Sequence, residues 1–147
     1  SKTDGISINT HLGSNFLIGG QISGQEPALL MVYPVGNYIH ASEIKPFFQL
    51  GETKYGKPIL DRLIRNETSL GDAARCALVS FDSTMKSDLT VGPPIDLVVY
   101  KKDSIQISLE EHLQFKTPFF SDLSSKWSEG LRNLFKELPM FDWENDQ

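Results

Sequence analysis

Ala28-Leu29-Leu30-Met31-Val32-Tyr33 is an unbroken apolar run that stops at Pro34. A run this short, bounded by turn residues, reads as a strand buried on both faces. A second run lies just upstream, Phe16-Leu17-Ile18 continuing into Gly19-Gly20-Gln21-Ile22. The gap between them, Ser23-Gly24-Gln25-Glu26-Pro27, has turn chemistry, so the two runs form a hairpin. Neither run alternates with polar residues, which predicts a sheet covered on both sides, by helices on one face and another layer on the other.

The remaining segments fix the order of elements. Val35-Gly36-Asn37 supplies the next turn, and Asn37 to Ala41 and Phe47 to Leu50 read as third and fourth strands. A helix is predicted over Thr53 to Asn66, with Tyr55, Ile59, Leu60, Leu63 and Ile64 near helical spacing and Pro58 limiting its start. A second helix begins at Ser69, three residues before Asp72, the spacing of a capping box. Its apolar stripe is Leu70, Ala73, Ala74, Ala77, Leu78, Phe81 and Met85, with Cys76 beside it. Lys86 to Pro94 is read as a loop. Ile95 to Tyr100 is a strand, Lys101-Lys102-Asp103 a turn, and Ser104 to Ser108 the second arm of a half-exposed hairpin. The last helix runs from Pro118 to Leu138, with Thr117 as N-cap and Leu123, Trp127, Leu131, Leu134, Phe135 and Leu138 as its buried face. Strands and helices come in groups, so the fold class is α+β and not an alternating doubly wound sheet.

Composition narrows function more than it defines it. The chain has 147 residues, 39% hydrophobic and 22% charged, with a formal net charge of −5. That excludes wholesale disorder and gives no basic face for nucleic acid or an anionic membrane. No apolar run approaches the roughly 18 residues of a membrane helix, and no basic-then-apolar leader opens the sequence. A soluble cytoplasmic domain is the expectation. The single cysteine, Cys76, allows no internal disulfide and reads as a buried inert thiol. His11, His40 and His112 stand in no metal-ligand spacing, and no cofactor fingerprint or phosphate loop is present, so neither metal nor cofactor is expected.

Two polar stretches stand out. Gly51-Glu52-Thr53-Lys54 precedes a helix, where Glu52 either serves a site or is a cap-region charge favoured by the helix dipole. Asp82-Ser83-Thr84-Met85-Lys86-Ser87-Asp88-Leu89-Thr90 concentrates hydroxyls, acids and a lysine, which suits either a site that orients a partner group or an ordinary helix C-terminus.

Longer motifs carry a resemblance. Gly19-Gly20-Gln21-Ile22, Tyr33-Pro34-Val35-Gly36-Asn37-Tyr38-Ile39 and Gly51-Glu52-Thr53-Lys54-Tyr55-Gly56-Lys57-Pro58-Ile59-Leu60-Asp61 resemble the bacterial proteasome-type peptidases of the Anbu, or ancestral beta-subunit, family. Ala73 to Ser80, Asp82 to Met85, Gly92 to Leu97 and Trp127 to Leu131 continue it, so it covers nearly all of the chain from Phe16 on. The family implies an N-terminal-nucleophile hydrolase whose four-layer αββα sandwich stacks two antiparallel sheets between helix layers. It implies cleavage of peptide bonds by a hydroxyl on the first residue, activated through its own amino group and a nearby lysine and acid, with a backbone N–H as oxyanion hole. It also implies homo-oligomeric rings or helical stacks acting on peptides or proteins.

Against that pattern, residues 1–147 read as the C-terminal portion of one such domain, with 1–14 as lead-in and 139–147 as an acidic tail. The segment carrying nucleophile, acid and lysine has no counterpart here, so no catalytic residue is assigned and this chain alone is expected to be inactive. Ser1 falls where the family has mid-chain sequence and is not taken as the nucleophile. Supporting roles carry over by resemblance only. Glu52 stands where proteasome subunits have the serine of a glycine-serine-glycine turn. Ser87 and Thr90 match the spacing of a bracing Asp-x-x-Ser pair, with Ser87 in the acid's place and Asp88 available after a one-residue shift. A non-catalytic self-assembly module of the same fold is the alternative.

Overall fold

The computed structural model describes residues 13–146. Ser1, His11 and most of the lead-in lie outside them. Three strands come first: β1 (Phe16–Gly20), β2 (Ala28–Val32) and β3 (Tyr38–His40). They form one antiparallel sheet with β2 in the middle, Phe16 opposite Val32, Gly20 opposite Ala28 and Val32 opposite Tyr38. The predicted hairpin closes where the Gln25 N–H donates to the Ile22 carbonyl at 2.9 Å. The second turn needs Gly36, whose φ of 88° an L side chain rarely adopts.

The expected fourth strand, Phe47 to Leu50, does not form. Pro46 lacks an N–H to give a ladder, and Phe47 instead packs on a cluster of Leu60, Ile64 and Cys76. Helix α1 (Lys57–Leu63) is shorter than its periodicity predicts at both ends. Gly56 is its N-cap, with Pro58 in its first turn. Past its end, the Thr68 hydroxyl accepts from the Arg65 N–H at 2.8 Å and turns the chain. Helix α2 (Leu70–Ser87) starts as predicted: the Ser69 hydroxyl accepts from the Asp72 N–H at 3.1 Å. It runs past Met85 and takes in part of the stretch read as a loop, so Asp82, Lys86 and Ser87 are helical. Leu70 and Phe81 are exposed, whereas Cys76 and Val79 are buried together with Leu78 and Met85 of the stripe, so the buried face of α2 overlaps the predicted one but is rotated from it.

Strands β4 (Ile95–Tyr100) and β5 (Ile107–Leu113) form a separate antiparallel pair, Ile95 opposite Leu113, with an irregularity at Val99–Tyr100. The second arm therefore starts later than Ser104. The Ser104 hydroxyl donates at 2.7 Å to the carbonyls of both Lys101 and Gln106 and holds the turn open. Helix α3 (Pro118–Lys136) follows. Thr117 is its N-cap residue, but its hydroxyl accepts from the Gln114 N–H at 2.8 Å and not from the helix. A short 3-10 turn, Asp142–Asp146, ends the described chain and stacks Phe141 on Trp143.

The main core joins α2, both strands of the pair and α3 through Leu78, Met85, Ile95, Leu113 and Phe120. Two burial expectations fail within the described residues. Phe16, Leu17 and Ile18 of β1 are exposed, so the three-stranded sheet is not covered on both faces. Of α3 only Phe120 is buried, while Leu131, Leu134 and Phe135 face outward because no described element lies over that half. The fold is thus α+β, with two small antiparallel sheets and three helices.

Candidate functional site

Gly51 has a φ of 80°, which turns the chain sharply and presents Glu52 beside α2. Glu52 does not cap α1, which begins several residues later. One carboxylate oxygen accepts from the Lys54 N–H at 3.0 Å, and the other lies 4.0 Å from the Lys54 ammonium. The carboxylate thereby fixes the Gly51–Lys54 turn, and its side chain is one quarter exposed, at 25%.

The second stretch ends α2. The Asp88 N–H donates to the Thr84 carbonyl at 2.8 Å and closes the helix. Asp88 Oδ1 accepts from the Thr90 N–H at 2.8 Å and from the Thr90 hydroxyl at 2.7 Å. The Thr90 hydroxyl, then the Thr90 N–H, hold the Asp88 carboxyl below its ordinary value. The Lys54 cation adds a smaller effect in the same direction.

Glu52 opens onto a cleft of about 470 Å³. The turn lends it Gly51 and Glu52, α2 lends it Ala77, Ser80, Phe81 and Thr84, and Leu17 of β1 and Val91 complete its mouth. Its wall is mainly apolar with a few polar groups, the usual make-up of a binding cleft. Gln49 also lines it, with a buried side-chain oxygen that has no hydrogen-bond partner.

Solved structures match this architecture closely. Anbu from Hyphomicrobium sp. strain MC1 is 49% identical with a TM-score of 0.84, covering 87% of this chain and 55% of its own. Anbu (ancestral beta-subunit) from Yersinia bercovieri is 43% identical at a TM-score of 0.84, with the same coverage of 87% and 55%. The Anbu complex of Pseudomonas aeruginosa, solved as a helical assembly, is 46% identical at a TM-score of 0.86, covering 95% of this chain and 58% of its own.

The chain belongs to the Anbu family. It spans little more than half the length of these solved Anbu chains. No family model and no curated protein matches it.

Of the residues carried over from the Anbu resemblance, the structure brings Glu52 to the cleft and puts Asp88 and Thr90 in direct contact with each other, outside its lining. Ser87 is the last residue of α2 and is exposed; the carboxylate that meets Thr90 is Asp88. Cys76 is buried against Leu60 and Ile64, and burial pushes its thiol up. His112 sits on β5 with Nδ1 2.6 Å from Asp96, away from the cleft, and His40 stacks edge-on against Tyr38. Among the described residues, no three of His, Cys, Asp and Glu gather as metal ligands, and no helix is long and apolar enough to cross a membrane.

Sequence reasoning passed over Ser80 and Gln49. Ser80 carries a signal only in hindsight: its small side chain is what lets Gly56 approach. Gln49 sat in a segment misread as a strand.

Proposed function

We propose that residues 13–146 form the supporting part of a proteasome-type peptidase site, in which Glu52, Asp88 and Thr90 shape and brace the cleft beside the cleavage centre. The observation that carries this reading is that Glu52 shares one cleft with Thr84 and Val91, the residue whose carbonyl closes α2 onto Asp88 and the residue that follows Thr90, in a chain of the Anbu family. Separate stretches of sequence, each matched to an active-site support by resemblance, converge on one place. Ser87 ends α2 at this loop and sets where Asp88 emerges.

In this reading the substrates are peptides or proteins, and the attacking hydroxyl belongs to the family's N-terminal nucleophile; no residue of this chain is assigned that role. The fold is part of the four-layer αββα sandwich, and the exposed apolar face of β1 is where further layers pack. The site works in the cytoplasm within a homo-oligomer, consistent with the helical assembly of the Pseudomonas aeruginosa relative.

The second reading, a self-assembly module without activity, is favoured by the exposed apolar half of α3. Turnover of fluorogenic peptides by the full-length gene product separates the two. Hydrolysis that disappears when the first residue's hydroxyl is removed supports the peptidase. An assembled protein with no turnover of any peptide in a broad library sinks that reading and leaves the module.

A further inference from the structure

Asp82 is buried, only 5% exposed, on the side of α2 that faces α3. A carboxylate taken out of water needs strong compensation. Here the Lys86 ammonium, one turn on, lies 2.7 Å from Oδ2, and the Ser124 hydroxyl of α3 donates to Oδ1 at 2.5 Å. Lys86 also donates to the Ser128 hydroxyl at 2.8 Å. Two residues one turn apart on α2 thus grip two residues one turn apart on α3, in a chain of side chains Ser124–Asp82–Lys86–Ser128 beside a cleft of about 280 Å³ that Asp82, Lys86 and Ser124 line.

Asp82 is desolvated while Lys86 stays half exposed, so the pair adds little cohesion beyond what apolar residues of similar volume would supply. What the directional contacts do supply is register: they are all made at one rotation and one axial offset of the two helices. That register matters because of what lies on the far side of α2. At about 100° per residue, Thr84 stands roughly 200° round from Asp82, and Asp88 roughly 200° round from Lys86. Thr84 lines the cleft, and its carbonyl closes α2 onto Asp88. A slip of α2 against α3 therefore displaces the Asp88–Thr90 loop directly.

We propose that Asp82, Lys86, Ser124 and Ser128 form a register clamp, and that Asp82 and Lys86 are positioning residues for the cleft, acting through α2 on Asp88 and Thr90. The inference rests on the peptidase reading for its effect on turnover but not for the clamp itself.

The test uses the full-length protein in two assays, peptide turnover and site-resolved amide hydrogen exchange. Asp82→Asn, and the apolar pair Asp82→Leu with Lys86→Met, are expected to lower kcat by about tenfold or more with KM little changed, since small misplacements near the chemistry are costly. Both are expected to speed exchange at residues 87–91 while β4 and β5 keep wild-type protection. The exchanged pair Asp82→Lys with Lys86→Asp is expected to restore both readouts, because a serine hydroxyl donates or accepts equally well. Wild-type kcat and exchange in the apolar pair overturn the clamp. So does faster exchange spread evenly over β4 and β5 that the exchanged pair does not repair, which marks plain destabilisation. If the wild-type protein hydrolyses no peptide, the peptidase reading fails, and local exchange at residues 87–91 alone decides the clamp.

Discussion

Gly56, the N-cap of α1, lies directly against Ser80 of α2. A Cβ at Gly56 would overlap the Ser80 hydroxyl and come within 3.1 Å of its Cβ. Both residues are buried, and Ser80 lines the cleft. Gly56→Ala is therefore expected to cost about 1–3 kcal/mol, the usual range for overpacking, read as a lowered midpoint in urea at unchanged slope. A midpoint equal to wild type means that α1 and α2 separate freely, and the account of this contact is wrong.

Glu52 lines the cleft, and Thr90 directly precedes Val91, which also lines it. In the full-length protein, Glu52→Gln or Thr90→Val is expected to reduce peptide turnover by up to the order of 10²-fold, the scale of a small misplacement near the reacting atoms. Ser87→Ala should have much less effect, because Asp88 is the residue that holds Thr90. Equal losses for Ser87→Ala and Thr90→Val would return the bracing role to the unshifted pair.

The Asp88 carboxyl is held below its ordinary value of 3.8 by Thr90. A depressed carboxyl adds stability that is fully present above the unfolded-state value and is lost as pH falls through the lower folded-state value. Asp88→Asn should thus narrow the gap in stability between neutral pH and pH below 3.8. Parallel wild-type and variant pH–stability curves through this acid range would contradict it.

Cys76 is buried between α1 and α2, and burial raises its thiol. Alkylation at mildly alkaline pH is expected to be slow in the folded protein and fast in denaturant. Reaction at the rate of a free thiol would show that α1 opens readily. Cys76→Ser places a hydroxyl in an apolar cluster and is expected to cost about 1–3 kcal/mol if it goes unpaired.

Phe16 and Ile18 on β1 and Leu134 and Phe135 on α3 are among the apolar residues left outside. Residues 1–147 expressed alone are expected to self-associate. A stable 16.5 kDa species by light scattering at high concentration contradicts that.

Local chemistry was readable wherever neighbours in sequence suffice to define it. The Ser69–Asp72 start of α2, the turns at Gly24 and Gly36 and the strand Ile95 to Tyr100 needed no tertiary information. Phe47 to Leu50 was misread because an apolar run looks the same whether it pairs in a sheet or caps a helix cluster, and only α1 and α2 decide which. The outer half of α3 was misread for a related reason: periodicity shows that a face is apolar, not what covers it. At the site, Glu52 and the Asp88–Thr90 segment were legible as motifs. That Asp88 rather than Ser87 meets Thr90 depends on where α2 ends.

The α+β class, the first hairpin, the Ser69 cap of α2 and the Anbu resemblance were legible in the residues alone, because these rest on short-range sterics, turn chemistry and long motifs. The packed fold added that Glu52 shares a cleft with Ala77, Ser80 and Thr84 of α2, that Asp82 and Lys86 grip α3, and which apolar faces stay open. Those facts depend on contacts between residues tens of positions apart, whose pairing is fixed by helix packing and carries no local signature.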